Sequence, residues 1–151
     1  MKNFETIEEL INFAIGEEEA AAAFYKALAV KMDRRWMQKT FEQFSREEEG
    51  HKAKLLRIKS GELPAPSLQK VIDLKIGDYL VDVELSAEMD YQEALIVAMK
   101  KEKEAFRMYS DLASVSDDER VRDLLLSLAQ EEAKHKLRFE IEYDEIILKE
   151  N

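Results

Sequence analysis

The chain has 151 residues, no cysteine, 4 glycines, 2 prolines and a formal net charge of −10, with 46% apolar and 37% charged side chains. That length can bury the core of one ordinary domain, and so few Gly and Pro suit long helices rather than strands and turns. The acidic balance argues against nucleic acid or an anionic membrane as partner, and the lack of Cys excludes a disulfide framework, a thiolate metal site and a catalytic thiol. The first residues, MKNFETIEELINF, carry acids where a secretory signal would be apolar. No run approaches the length of a membrane span, so a soluble, cytoplasmic protein is expected.

Thr6-Ile7-Glu8-Glu9 has the form of a capping box and opens a first helix over about 6–33. Its apolar stripe reads Ile7, Ile11, Ala14, Glu18, Ala21, Tyr25, Leu28. Asp33 is the expected N-cap of a second helix over about 34–59, ended by Ser60-Gly61 and Pro64. The stripe of that helix is Met37, Phe41, Phe44, Glu48, His51, Leu55, Ile58. Steps of four and three keep all seven on one face. Five are apolar, and the other two bring a carboxylate and an imidazole to places where Leu belongs. Met32, Trp36 and Met37, near the turn between the helices, read as core. So short a turn makes the pair an antiparallel hairpin.

Pro64 and Pro66 forbid a continuous helix across 60–89. Leu68, Ile72 and Leu74 could form one short helix there, while Val81, Val83 and Leu85 alternate. This segment is expected to be a long crossover. Asp90-Tyr91-Gln92-Glu93 is another capping box and opens a helix over about 90–115. Ser116-Asp117-Asp118-Glu119 opens the last, over about 117–148.

The second half repeats the first at an offset of 84 residues. Glu18 maps to Glu102, Tyr25 to Tyr109, Glu48 to Glu132 and His51 to His135. The later stripes read Tyr91, Leu95, Ala98, Glu102, Ala105, Tyr109, Leu112 and Val121, Leu125, Leu128, Glu132, His135, Phe139. Each of the four helices thus interrupts an apolar run with one Glu, and two add a His one turn later. A two-fold relation between the hairpins would bring the four helix middles to one level. A helix of that size is about 39 Å long, and about thirty linker residues reach roughly 100 Å. The expectation is one all-α domain over 1–151, a four-helix bundle with one long crossover.

Four carboxylates in a core of Leu, Ile, Phe and Ala could not all stay ionised unaided, since an unpaired buried charge costs several kcal/mol. No Lys or Arg shares these stripes at the level of the four Glu. Two divalent cations would balance the four charges and leave two neutral imidazoles to complete the ligation. Carboxylate with imidazole suits Fe or Mn, with Zn compatible. It is too nitrogen-rich for Ca or Mg. Ala14, Ala21, Ala98 and Ala105 bracket Glu18 and Glu102, which leaves room for ions or simply lets helices pack closely. Glu17, Glu19, Glu47, Glu49, Glu104 and Glu131 fall off the stripes and read as solvated.

The six residues Glu18, Glu48, His51, Glu102, Glu132 and His135 resemble the ligand set of the ferritin-like di-iron carboxylate superfamily, and most closely that of the rubrerythrin group. The resemblance covers all four helices. It implies a ferritin-like bundle holding two Fe ions. Glu48 and Glu132 would bridge them, Glu18 and His51 would complete one, and Glu102 and His135 the other. Tyr25 and Tyr109 would hydrogen-bond to ligand carboxylates, or serve as ordinary core. The implied activity is reduction of hydrogen peroxide or dioxygen, a defence against oxidative stress. The alternatives are a ferroxidase that handles iron and a metal-binding bundle without redox chemistry. Two departures stand out. Ala105 lies where rubrerythrins usually carry a further Glu, and the cysteines of a rubredoxin domain are missing. Electrons would therefore come from a separate, rubredoxin-like protein. A homodimer is the expected state, and the long crossover would allow hairpins to swap between chains.

Overall fold

The computed structural model describes residues 5–74 and 88–145. The alternating Val81, Val83 and Leu85, and the end of the last helix beyond residue 145, lie outside the described residues. All elements are helices: α1 Ile7–Val30, α2 Arg35–Lys59, α3 Leu68–Leu74, α4 Tyr91–Ser114 and α5 Glu119–Tyr143. Among the described residues there is no strand. The chain clusters into two compact units, one of Phe4–Ala65 and one made chiefly of Pro66–Asn151.

In the first unit α1 packs along α2. The Thr6 hydroxyl accepts from the Glu9 amide at 3.0 Å, as its position before the apolar run requires. Glu9 reaches back to accept from the Glu5 amide at 3.0 Å, one residue further out than an ordinary capping box. The expected cap of α2 is corrected. Arg34 is its N-cap and makes no side-chain cap bond, while Asp33 lies one residue outside in the turn. Gln38 ties that turn instead, its amide donating to the Met32 carbonyl at 2.8 Å. Trp36 also departs from expectation. It is 46% exposed, whereas Met37 is buried.

The buried residues of α2 are Met37, Phe41, Phe44, Glu48, His51, Leu55 and Ile58, which is its sequence stripe in full. Tyr25 stacks edge-on against Phe44, with ring centroids 6.0 Å apart. Ser45 on α2 donates to the Ala22 carbonyl on α1 at 2.7 Å, fixing the register of the hairpin. Beyond α2 the chain turns through Gly61 at φ +85°, a left-handed value that glycine adopts without strain. The Leu63 amide then reaches back to the Arg57 carbonyl at 3.1 Å, and Leu63 is buried.

In the second unit α4 packs along α5. The short α3 predicted from Leu68, Ile72 and Leu74 is present, but Val71 is its buried residue and Ile72 is exposed. Lys70 of α3 holds Asp117, before α5, at 3.0 and 3.1 Å. Asp90 caps α4 as expected, accepting from the Glu93 amide at 2.8 Å. The cap of α5 lies two residues later than Ser116. Asp118 accepts from the Arg120 and Val121 amides at 2.8 and 3.3 Å. The Arg120 guanidinium, joined by those two amides, holds the Asp118 carboxyl below the usual carboxylate range. Ser116 instead donates to the Leu112 carbonyl at 2.7 Å, satisfying a carbonyl at the end of α4. α1, α2 and α4 are accordingly one to four residues shorter than their predicted spans, and α5 begins two residues later than predicted.

Candidate metal centre

Helical spacing places the chemistry in each hairpin. Glu48 and His51 are one turn apart on the buried face of α2, and Glu18 lies on the buried face of α1. The antiparallel register pinned by Ser45 sets Glu18 beside them. His51 Nδ1 is 3.3 Å from Glu18 Oε2 and 3.4 Å from Glu48 Oε1. The second hairpin repeats this with its own residues. His135 Nδ1 is 3.6 Å from Glu102 Oε2 and 3.9 Å from Glu132 Oε1. All six side chains are at most 3% exposed. In each hairpin the three residues offer ligand atoms within 4.8 Å of one another.

This donor set fits a metal ion. Two ligands of one ion at about 2.0–2.2 Å stand about 3–3.5 Å apart, the spacing of the first trio, and the second is slightly wider. Each trio holds two carboxylates and one imidazole. A single divalent cation would neutralise it, whereas without a cation two like charges share a site from which water is excluded. Imidazole with two carboxylates is a borderline-hard set suited to Fe, Mn or Zn.

The other expected site residues are placed as follows. Tyr25 and Tyr109 are each 1% exposed, two turns from Glu18 and Glu102. Ala14 and Ala98 are buried, while Ala21 and Ala105 are half-buried. Of the flanking acids, Glu19 and Glu49 are exposed, but Glu17, Glu47, Glu104 and Glu131 are half-buried. Their stems lie along the helix flanks, which tempers the expectation of full solvation. Glu19 holds Lys52 at 2.9 Å on the rim of the first hairpin.

Sequence reasoning missed one buried acid, Glu142, which is 1% exposed. It continues the stripe of α5 three residues past Phe139, the signal that would have found it. Tyr91 donates to its Oε1 at 2.9 Å, and Arg138 lies 4.0 Å from its Oε2. Burial, with the Glu142 charge beside it, pushes the Tyr91 phenol far above its ordinary value.

A rubrerythrin family model matches residues 9–143, most of the chain and all four long helices. The chain belongs to the rubrerythrin family. The likeness extends to a solved structure, that of a hypothetical protein from Pyrococcus furiosus. The two are 28% identical over 93% of this chain and 89% of that one, with a TM-score of 0.71. No curated protein matches at a significant level. Membership places this rubrerythrin-family chain in the ferritin-like di-iron superfamily, and its helix pairs accord with a ferritin-like helical bundle. The buried Glu and His of each hairpin are consistent with a metal site. Among the described residues no helix is long and apolar enough to cross a membrane.

Proposed function

We propose that the protein is a di-iron reductase of hydrogen peroxide, re-reduced by a separate donor protein. The observation that carries this is the doubling of one buried donor trio at a fixed offset inside a rubrerythrin-family chain. One domain over 1–151 would carry both trios. Glu18, Glu48 and His51 would hold one ion, and Glu102, Glu132 and His135 the other. Two Fe(II) bound there would supply the Lewis acidity and the two electrons that, with two protons, convert hydrogen peroxide to two waters.

The chain's own residues set the conditions for that reaction. Six side chains buried to within 3% of full exclusion keep solvent from the reacting atoms. The imidazoles turn Nδ1 toward the carboxylates and would serve as ligands in their neutral form. Tyr25 and Tyr109 would hold ligand carboxylates in place from two turns away. Ala21 and Ala105 are small and half-buried, and each would leave room for a two-oxygen molecule beside its own trio. Rubrerythrins usually carry a carboxylate at the place of Ala105, so this chain would work with a fixed ligand set. The protein would act in the cytoplasm.

Rapid mixing tests the proposal. The iron-loaded, reduced protein should be oxidised by stoichiometric peroxide faster than by dioxygen. Oxidation by dioxygen alone, with indifference to peroxide, would instead make it a ferroxidase. Indifference to both would leave a bundle that binds metal without redox chemistry.

A further inference from the structure

The two donor trios are alike, but the charges around them are opposed. Beside Glu18, α1 carries Glu17 and Glu19, and no cation lies within four residues. At the matching positions beside Glu102, α4 carries Lys101 and Lys103, with Lys100 and Glu104 next outward, a net of two positive charges. The internal repeat thus reads GEEEA in one copy and KKEKE in the other, a reversal of sign around a conserved ligand. α2 and α5 add to it. Within four residues of Glu48 or His51, the cations Arg46, Lys52 and Lys54 outnumber Glu47 and Glu49 by one. Around Glu132 and His135, Lys134, Lys136 and Arg138 outnumber Glu131 by two. With the ligands set apart, the first trio lies in a net charge of −1 and the second in one of +4. Glu17 and Lys101, the innermost members of the contrast, are both half-buried, where salt screens them least.

The geometry of the trios differs in the same direction. His51 Nδ1 lies 3.3 and 3.4 Å from its two carboxylates, already the separation of ligands on one ion. His135 Nδ1 lies 3.6 and 3.9 Å from its own. A cation must draw the second trio inward before it is held, whereas the first is pre-organised and needs no such movement.

We propose that the trios fill in order: Glu18, Glu48 and His51 take a divalent cation first and hold it more tightly, and Glu102, Glu132 and His135 are last filled and first emptied. This rests on the reading of each trio as the site of one ion. Charges so near a ligand in sequence stand about 10 Å from the ion, a helix diameter. At that distance each unit charge changes the affinity for a dication about fourfold in water before screening. Over the charges that separate −1 from +4, screening leaves a ratio of about ten at 0.15 M salt and about a hundred at 0.01 M. A one-ion form, filled at the first trio, therefore precedes the two-ion form. With iron it holds only one of the two electrons that the proposed reaction needs.

Co(II), a divalent ion for the same nitrogen and oxygen donors, tests this on the metal-free protein. Crystals grown in dilute salt with one Co(II) per chain, measured at the cobalt edge, should show the first trio filled and the second nearly empty. Calorimetric titration should give two steps about a hundredfold apart in 0.01 M salt, closing toward about tenfold in 0.15 M. Exchanging the inner charges, Glu17→Lys and Glu19→Lys together with Lys101→Glu and Lys103→Glu, leaves all six donors in place. It should reverse the order of filling in 0.01 M salt, with helical circular dichroism unchanged. Lys101→Glu alone should tighten the second step about fivefold in the same salt. Equal filling of the two trios, filling of the second first, or a second step unmoved by Lys101→Glu would overturn the proposal. Equal filling would leave each trio standing as an ion site, whereas Co(II) at neither trio would overturn that reading as well.

Discussion

The two hairpins are built on one plan and have diverged at many positions around a donor trio that both keep. Glu18, Glu48 and His51 recur as Glu102, Glu132 and His135, and Tyr25 recurs as Tyr109. Ala14, Ala21 and Leu28 also recur, as Ala98, Ala105 and Leu112, but other positions have changed. Ile7 and Ile58 in the first hairpin correspond to Tyr91 and Glu142 in the second, an apolar pair against a hydrogen-bonded one. Ser45, which clamps α2 to α1, corresponds to the buried Ala129. Asp118 caps α5, whereas α2 begins without a side-chain cap. Core packing can be met by many side chains of similar volume, so those positions drift independently. A metal site accepts few substitutes, so both copies of the trio hold.

Loss of a residue that both hairpins share should have the largest effect. Glu48→Ala or Glu132→Ala should lower bound iron from two ions per chain to at most one, measured by elemental analysis after loading. Retention of two ions in either variant would contradict the ligand assignment. The metal-free protein should respond in the opposite sense. Glu48→Leu removes a carboxylate that burial disfavours when no cation is bound, so in chelator it should leave stability unchanged or raise it, while the same variant loses the stabilisation that iron gives the native site.

Next comes the pair found in only one hairpin. Tyr91→Phe removes the donor to a buried carboxylate and should cost about 1–3 kcal/mol. Replacing both partners to copy the first hairpin, Tyr91→Ile with Glu142→Ile, should recover most of that loss in a double-mutant cycle. The pair also gives a pH signature. The Tyr91 phenol is raised in the folded state. Its contribution is therefore present below the ordinary phenol value, near pH 10. Above that value the unfolded chain ionises while the folded one does not, so stability falls. Urea titrations in alkali should show this fall in the native protein and a shallower one in Tyr91→Phe.

The smallest effect belongs to the helix starts. Arg34→Ser gives α2 the kind of cap its sequence lacks and should add about 1 kcal/mol. Asp118→Ala should lower the melting temperature at neutral pH. Its carboxyl is held low by Arg120, so the stabilisation is present above the ordinary carboxylate value and lost as pH falls through the folded one. The difference between Asp118→Ala and the native protein should therefore shrink in acid.

These residues also mark what could be seen in the sequence and what could not. Long helices with buried faces follow from periodicity, because seven residues such as those of α2 satisfy one geometric condition together. The donors were visible for the opposite reason, since a charge on an apolar stripe violates that condition. Single caps were harder to read. Asp33 and Arg34 differ by one residue, and the choice between them lies in a turn that Gln38 and the Met32 carbonyl decide. Trp36 reads as core by composition, yet it lies beside that turn, and only the path of the chain sets its exposure. The burial of Glu142 was legible, since it continues the α5 stripe past Phe139, but its partner Tyr91 lies 51 residues away and no local pattern links them.

The central claim is that acids enter these helix interiors because cations neutralise them there. Crystals grown with Fe(II) and measured at the iron absorption edge test it directly. The account requires two anomalous peaks per chain, one within about 2.0–2.2 Å of the Glu18, Glu48 and His51 donors and one equally close to those of Glu102, Glu132 and His135. Iron found only on surface carboxylates, with both buried trios empty, would contradict it.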